Sequence, residues 1–403
     1  MPFCASTCDF CGFYQQRPRS GDVDAYLDAL EREWAAYPDD LPVDTVFWGG
    51  GTPGLLGARE IDRLAGGLRR RLAAEPVEWT VEMTPATVRP EKVKALRDNG
   101  VTRISMGLQS FQPRLLEALG RQHTVGQIDK AWKALEAVGF PTVNGDLIFG
   151  IPGQTAADLE ADLQALIALD PDHISTYCLT FEEDTALYLR LSEGKVSRDP
   201  DAEAEAYSRV WDTLQAAGYH HYEISNFARH REGAFTGGDQ LPDRASRHNV
   251  IIWSMGEWIG LGPAAASQWQ GERWTNRPDL VTWLALAGTD RQPDLREDRT
   301  ALTPDLLAAD SLIFGLRMTR GVDLSAWRNR FPAAAGHAGF DPLLARLEAD
   351  GLAERDGPWL HLTRSGLMVA DHVGMEILAC FDPPGVLPDR AAHPLAADSP
   401  GYG

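Results

Sequence analysis

Three of the five cysteines fall within the first eleven residues, Cys4, Cys8 and Cys11, in a CxxxCxxC run. Iron–sulfur clusters are held by cysteine thiolates, usually four for a [4Fe-4S] cluster, so three in one short loop leave one iron open to a substrate or cofactor. Structural zinc wants a further Cys or His close by, and the nearest histidine is His123. A disulfide framework suits an odd cysteine count in a long chain without a signal region poorly. The spacing favours a cluster and leaves the decision to the surrounding elements.

Those elements alternate. Apolar residues at three- and four-residue spacing, Val23, Tyr26, Leu27, Leu30 and Trp34, predict a helix over Asp22 to Ala36. The run Thr45 to Trp48 reads as a buried strand ending in the glycine turn Gly49-Gly-Gly-Thr-Pro53. Further strands are expected at 78–83, 103–109, 142–149 and 173–180, separated by helices at 60–72, 90–99, 113–119, 125–138 and 156–169. Strand–helix alternation implies parallel β/α units, closed as a barrel or open as a sheet, with functional loops at the carboxyl ends of the strands. Gly49 to Thr52, Glu82, Gln109 and Asp146 sit at those ends and would surround one site.

We expect four regions: a partial barrel over 1–228, an extension over 229–290 with His248-Asn249 and a Trp- and Gly-rich stretch, a winged-helix-like α+β module over 291–380, and a disordered tail over 381–403. The polar, charged residues 288–301 read as a linker. With 403 residues the chain can bury a large core. Its charge, 38 basic against 58 acidic residues, or −20, argues against a nucleic-acid surface. The absence of a long apolar run or signal region points to a cytoplasmic protein with no transmembrane segment, where thiols stay reduced and available to metal.

The cysteine loop, Gly49-Gly-Gly-Thr-Pro53, Glu82, Arg103-Ile-Ser-Met-Gly-Leu-Gln-Ser-Phe111, Asp146-Leu-Ile-Phe-Gly-Ile-Pro-Gly153 and Tyr222-Glu-Ile-Ser-Asn-Phe-Ala228 together resemble the radical S-adenosylmethionine (SAM) family. Within it they are similar to the oxygen-independent coproporphyrinogen III oxidase branch, over about residues 1–380. The resemblance implies a partial (β/α)6 TIM-like barrel with a C-terminal winged-helix-like module. Cys4, Cys8 and Cys11 would hold a [4Fe-4S] cluster, and SAM would chelate its open iron. An electron passed from the cluster would then cleave the sulfonium to a 5′-deoxyadenosyl radical, supplied if SAM is cleaved by a donor such as flavodoxin. Gly50, Gly51 and Thr52 would lie along the methionine moiety, Arg121 would meet its carboxylate, Glu82, Gln109 and Asp146 its amino and ribose groups, and Phe10 and Gly12 the adenine.

The decarboxylating enzymes of the branch carry a fourth cysteine two residues after the third, where this chain has Phe13. Phe at that position resembles the heme-chaperone members, which implies binding of heme and its transfer to acceptor hemoproteins. Coproporphyrinogen III dehydrogenase and a related radical SAM methyltransferase are the alternative readings. His248-Asn249 resembles the chaperone pattern HNxxYW, although Ile252 replaces the Tyr and Ser246 a nearby Cys, which leaves His248 as the candidate heme ligand. Trp253, Trp258, Trp269 and Trp274 are candidate pocket walls, with core packing as the plainer role for most of them. Family members also have a strand before the cysteine loop, whereas this chain opens at Met1-Pro-Phe-Cys4; the expectation is a start assigned too far downstream.

Overall fold

The computed structural model describes residues 1–236 and 240–381. The chain folds into two compact units, one of residues 1–252 and 256–301, the other of 253–255 together with 302 onward.

The first unit is built on a seven-stranded sheet. Five strands, β1 (Thr45–Trp48), β2 (Glu78–Met83), β3 (Arg103–Gln109), β4 (Thr142–Phe149) and β5 (His173–Cys178), lie side by side in that order. All four of their pairings are parallel. β6 (His220–Glu223) and β7 (Asn226–Ala228) form a hairpin whose second strand pairs antiparallel with β5. Among the described residues the sheet does not close on itself, and β1 has a neighbour on one side only. This is the open, TIM-like arrangement expected for a partial barrel.

The strands form where apolar residues run continuously between glycine and proline punctuation, as parallel strands covered on both faces require. Trp79, Val81, Ile104, Met106, Leu108, Leu147 and Phe149 are all buried. The connecting helices begin at strong caps. Thr124 Oγ1 accepts from Gln127 N at 3.3 Å while the Gln127 side chain returns to Thr124 N at 2.8 Å, and Gly139, at φ 74°, closes the same helix.

Residues 256–301 belong to this first unit. β8 (Ala266–Trp269), β9 (Glu272–Asn276) and β10 (Arg296–Ala301) make a three-stranded antiparallel sheet. β10 occupies part of the stretch read as a linker: Arg296 and Glu297 are half-buried and Asp298 and Arg299 exposed, with Arg299 pairing with Glu272 at 2.7 Å, so strand pairing more than burial keeps it in place. Glu33, 1% exposed, fastens this region to the helix Asp22–Ala35 by accepting from Gly262 N at 2.7 Å, Trp283 Nε1 at 3.1 Å and Asn276 Nδ2 at 2.9 Å. Phe3, Tyr26, Leu27, Leu280 and Trp283 pack in one cluster beside it.

The second unit is α+β. β11 (Val322–Asp323), β12 (Ala353–Asp356) and β13 (Trp359–Leu362) form an antiparallel sheet in the order β11-β13-β12, with a hairpin between the last two. Helices Pro304–Arg317, Phe340–Ala349 and Ala370–Phe381 supply a core of Leu312, Leu316, Phe340, Leu343, Val373 and Ile377. The expected tail falls, beyond Phe381, outside the described residues. Among the described residues no helix is long and apolar enough to cross a membrane.

Candidate functional site

The cysteine loop is laced to the carboxyl end of the sheet by its backbone. Gly51 N donates to Met1 O at 2.6 Å and Thr52 N to Phe3 O at 2.7 Å, so residues 1–3 run beside the glycine turn. Asp9 N donates to Leu119 O at 3.0 Å, and Arg190 Nη2 grips the Asp9 carboxylate at 2.5 Å. Phe10 packs on the apolar cluster of Leu115, Leu119, Ile151 and Leu187, and a Cβ on Gly12 would meet the Glu182 Cβ at 3.2 Å. A Cβ on Gly51 would fall 2.5 Å from Phe3 O, which only glycine avoids.

The three sulfurs lie near enough to one another to interact electrostatically, and two of them have polar neighbours. Cys4 Sγ lies 3.3 Å from Thr52 Oγ1, and Cys8 Sγ accepts from Arg121 Nη1 at 3.3 Å. Burial, more than their mutual proximity, pushes the Cys4 and Cys11 thiols up. Among the described residues no three Cys, His, Asp or Glu groups are arranged to hold a single metal ion, and His123 is engaged elsewhere, 3.1 Å from Leu108 O. Three free, soft thiols in one loop, with no histidine beside them to complete a zinc site, fit a polynuclear iron–sulfur group better than zinc.

The predicted polar residues gather around this loop. Gly50 N donates to Glu82 Oε2 at 3.1 Å. The side chains of Gln109 and Arg121 converge on Gly107, where a Cβ would meet Gln109 Nε2 at 2.9 Å and Arg121 Nη2 at 3.1 Å. Gln109 sits at a strand irregularity with φ 69°, a left-handed conformation that turns its side chain at the strand end. Gln109 Oε1 and Arg121 Nε are buried without hydrogen-bond partners. Glu82 is raised to about 7 by burial and then by nearby Asp146, and burial raises Asp146 to about 6. Unfilled donors and acceptors with two poorly solvated carboxyls fit a small polar cation carrying amino, carboxylate and hydroxyl groups, as SAM is.

His248 stands away from that cluster, at the start of β1. Its Nδ1 lies 3.0 Å from Thr45 Oγ1, and its ring stacks on Phe47 with centroids 4.9 Å apart. Thr45 and Phe47 are two residues apart and share one face of the strand. The amides of Arg247 and His248 donate to the Glu78 carboxylate at 3.1 and 3.0 Å. His248, Trp258 and Trp269 line a cavity of about 1400 Å³ along the open side of β1, together with Phe13, which is 72% exposed. Trp274 instead lies in the core beneath Arg296, and Trp253 packs on Phe314 in the second unit. Sequence alone does not single out Thr45, Phe47 or Glu78; Thr45 and Glu78 are 203 and 170 residues from His248, so no local pattern announces them.

Comparison with known proteins follows the same division. The radical SAM superfamily pattern matches residues 1–166 and the HemN C-terminal domain pattern residues 302–369. The chain is 31% identical over 379 residues to heme chaperone HemW of Bacillus subtilis (strain 168), covering 93% of this chain and 96% of that protein. It is 34% identical over 386 residues to heme chaperone HemW of Mycobacterium tuberculosis (strain ATCC 25618 / H37Rv), covering 94% and 93%. The solved structure of coproporphyrinogen III oxidase (HemN) from Escherichia coli, a radical SAM enzyme, superposes with a TM-score of 0.79 at 26% identity over 95% of this chain and 88% of that one. The chain belongs to the radical SAM superfamily, in the branch of these HemW relatives.

Proposed function

We propose that this protein is a heme chaperone that carries a [4Fe-4S] cluster and SAM in its first unit, binds heme through His248, and passes it to acceptor proteins. The observation that carries the reading is the placement of His248. A threonine hydroxyl fixes Nδ1, and no hydrogen bond to Nε2 is present among the described residues, which leaves Nε2 as the ligating atom. Burial holds the imidazole below its ordinary value, so the ring is neutral and can donate its lone pair at neutral pH. Phe47 and the neighbouring tryptophans offer the flat apolar walls a porphyrin requires. The names of the relatives support the same reading.

On the cluster side, Cys4, Cys8 and Cys11 supply thiolates, and Arg121, already beside Cys8, offers its unpartnered Nε–H to a carboxylate. Glu82 and Asp146 accept from amino and hydroxyl groups. When bound, the cluster supplies one electron to the sulfonium of SAM.

Heme titration of the reconstituted full chain tests the proposal. The expected result is about one heme per chain, with affinity falling at least tenfold in His248→Ala. Unchanged affinity in that variant removes His248 from the account.

A second reading, oxidative decarboxylation of coproporphyrinogen III, is favoured by the structural likeness to HemN. Phe13 speaks against it. Release of 5′-deoxyadenosine only in the presence of porphyrinogen, followed anaerobically, would establish the second reading over the first.

A further inference from the structure

Between Asp146, in the middle of β4, and the turn that carries His248 lies a line of buried polar groups. Asn144 Nδ2 donates to Asp146 Oδ1 at 2.6 Å and to Ser105 Oγ at 2.7 Å, which uses both of its hydrogens. Asn144 Oδ1 must therefore accept, and its partner is His173 Nδ1 at 2.7 Å, with Ser175 Oγ also donating to it at 3.2 Å. The hydrogen of His173 is thus on Nδ1. Complete burial, with the Arg103 charge nearby, holds His173 well below its usual value and keeps the ring neutral. Nε2 is then an acceptor, and it takes the Tyr222 hydroxyl at 2.8 Å. The same oxygen accepts from Ser246 N at 3.1 Å.

Each bond in this line points the same way, from the Ser246 amide toward the Asp146 carboxylate. Asn144, His173 and Tyr222 are 1%, 1% and 3% exposed, so water does not compete. Ser246 opens the turn in which Val250 N donates to Ser246 O at 3.0 Å, and His248 follows it by two residues. Chains of aligned hydrogen bonds polarise one another, and ordering one end lowers the entropy cost of ordering the other.

We propose that Tyr222 and His173 are positioning residues that tie the turn carrying His248 to Asp146, so that SAM held at Asp146 tightens heme binding at His248. The inference rests on the function proposed above for those two ends. It assigns a role to a buried His–Tyr pair that neither the cluster nor the cavity uses directly.

The test uses the full chain with its cluster reconstituted. Heme affinity, read by absorption titration, is expected to rise about fivefold when SAM is saturating, and SAM affinity, read by calorimetry, to rise by the same factor with heme. Tyr222→Phe removes the hydroxyl that serves both His173 and Ser246, and is expected to abolish the coupling while each ligand alone still binds. His173→Gln, which breaks the line at a different point, is expected to do the same, so that a folding defect in either variant does not decide the outcome.

A heme-independent arm separates this proposal from the function beneath it. Amide exchange at Ser246 to Val250 is expected to slow on addition of SAM alone in the parent and not in Tyr222→Phe. If heme fails to bind but this protection appears, the chaperone reading falls and the connection stands. Absence of SAM-dependent protection, a fall in heme affinity with SAM, or coupling that survives in both variants overturns it.

Discussion

Replacing Glu33 by glutamine probes how the 256–287 region is held against the helix Asp22–Ala35. The carboxylate has three donors around it, from Gly262, Trp283 and Asn276. Glutamine keeps one acceptor oxygen but sets an amide NH2 against the Asn276 Nδ2. Asn276 cannot simply turn over, because its Nδ2 also donates to Gly262 O at 2.9 Å. One mismatched buried pair costs about 1–3 kcal/mol.

The pH dependence is the sharper signature. Burial raises Glu33 from 4.5 to about 7. A carboxyl raised in the folded state binds its proton more tightly there than in the unfolded chain, so its contribution to stability falls as pH climbs from 4.5 to 7. Over that window of 2.5 pH units the change is about 3 kcal/mol, at about 1.4 kcal/mol per unit. Glutamine does not titrate. The variant is expected to be less stable than the parent by about 1–3 kcal/mol at pH 4.5 and equally or more stable above pH 7. Opening free energies from native-state hydrogen exchange over residues 259–287, corrected for intrinsic rate, measure this directly. A difference between variant and parent that stays constant within about 1 kcal/mol across the window would refute the reasoning.

Other expectations are simpler. Cys8→Ser should reduce iron and acid-labile sulfide in the anaerobically reconstituted protein to background, because a hydroxyl is a poor replacement for a soft thiolate. Gly51→Ala, whose Cβ would crowd Phe3 O, should weaken SAM binding at least tenfold by calorimetry with little change in thermal stability of the second unit. Gln109→Gly should relieve a left-handed backbone and stabilise the protein by about 1 kcal/mol in urea titrations while loosening SAM. Gly366→Ala, whose Cβ would overlap Leu352 O, should destabilise the second unit by about 1–3 kcal/mol or more, read by exchange protection in Phe340–Ala349.

The parallel strands were legible because their signal is local. Runs such as Thr45–Trp48 and Thr142–Phe149 are continuous, apolar and bounded by turns, and their bounds coincide with the observed strands. The glycine turn, Glu82 and Gln109 could be placed together because strand ends in β/α units converge, whereas Asp146, read as a strand end, is the fifth of the eight residues of β4 and reaches the neighbourhood of Glu82 from within the sheet. β10 was hidden by its composition, since Arg296–Ala301 has the polarity of a linker and is held by pairing with β9. The β6–β7 hairpin lacked a glycine signal, since only Ile224 and Ser225 separate its strands; buried Glu223 accepts from Ser225 N at 3.0 Å and steadies the turn instead. The left-handed Gln109 and the partners of His248 depend on tertiary contacts, which no window of sequence displays.

The one-sided pairing of β1 bears on how the protein is handled at the bench. The Met1 ammonium donates to Gly49 O at 2.7 Å, level with the carboxyl end of that strand. Residues fused ahead of Met1, such as an affinity tag, would start beside the edge of β1 that has no partner strand among the described residues and would add to it as a further strand. Such a strand would occupy the side of the cavity that His248 faces, making the fused peptide a competitor of any planar ligand there. A heme titration on a carboxyl-tagged preparation should therefore show tighter binding than one on an amino-tagged preparation, and the difference should vanish once the amino-terminal tag is cleaved.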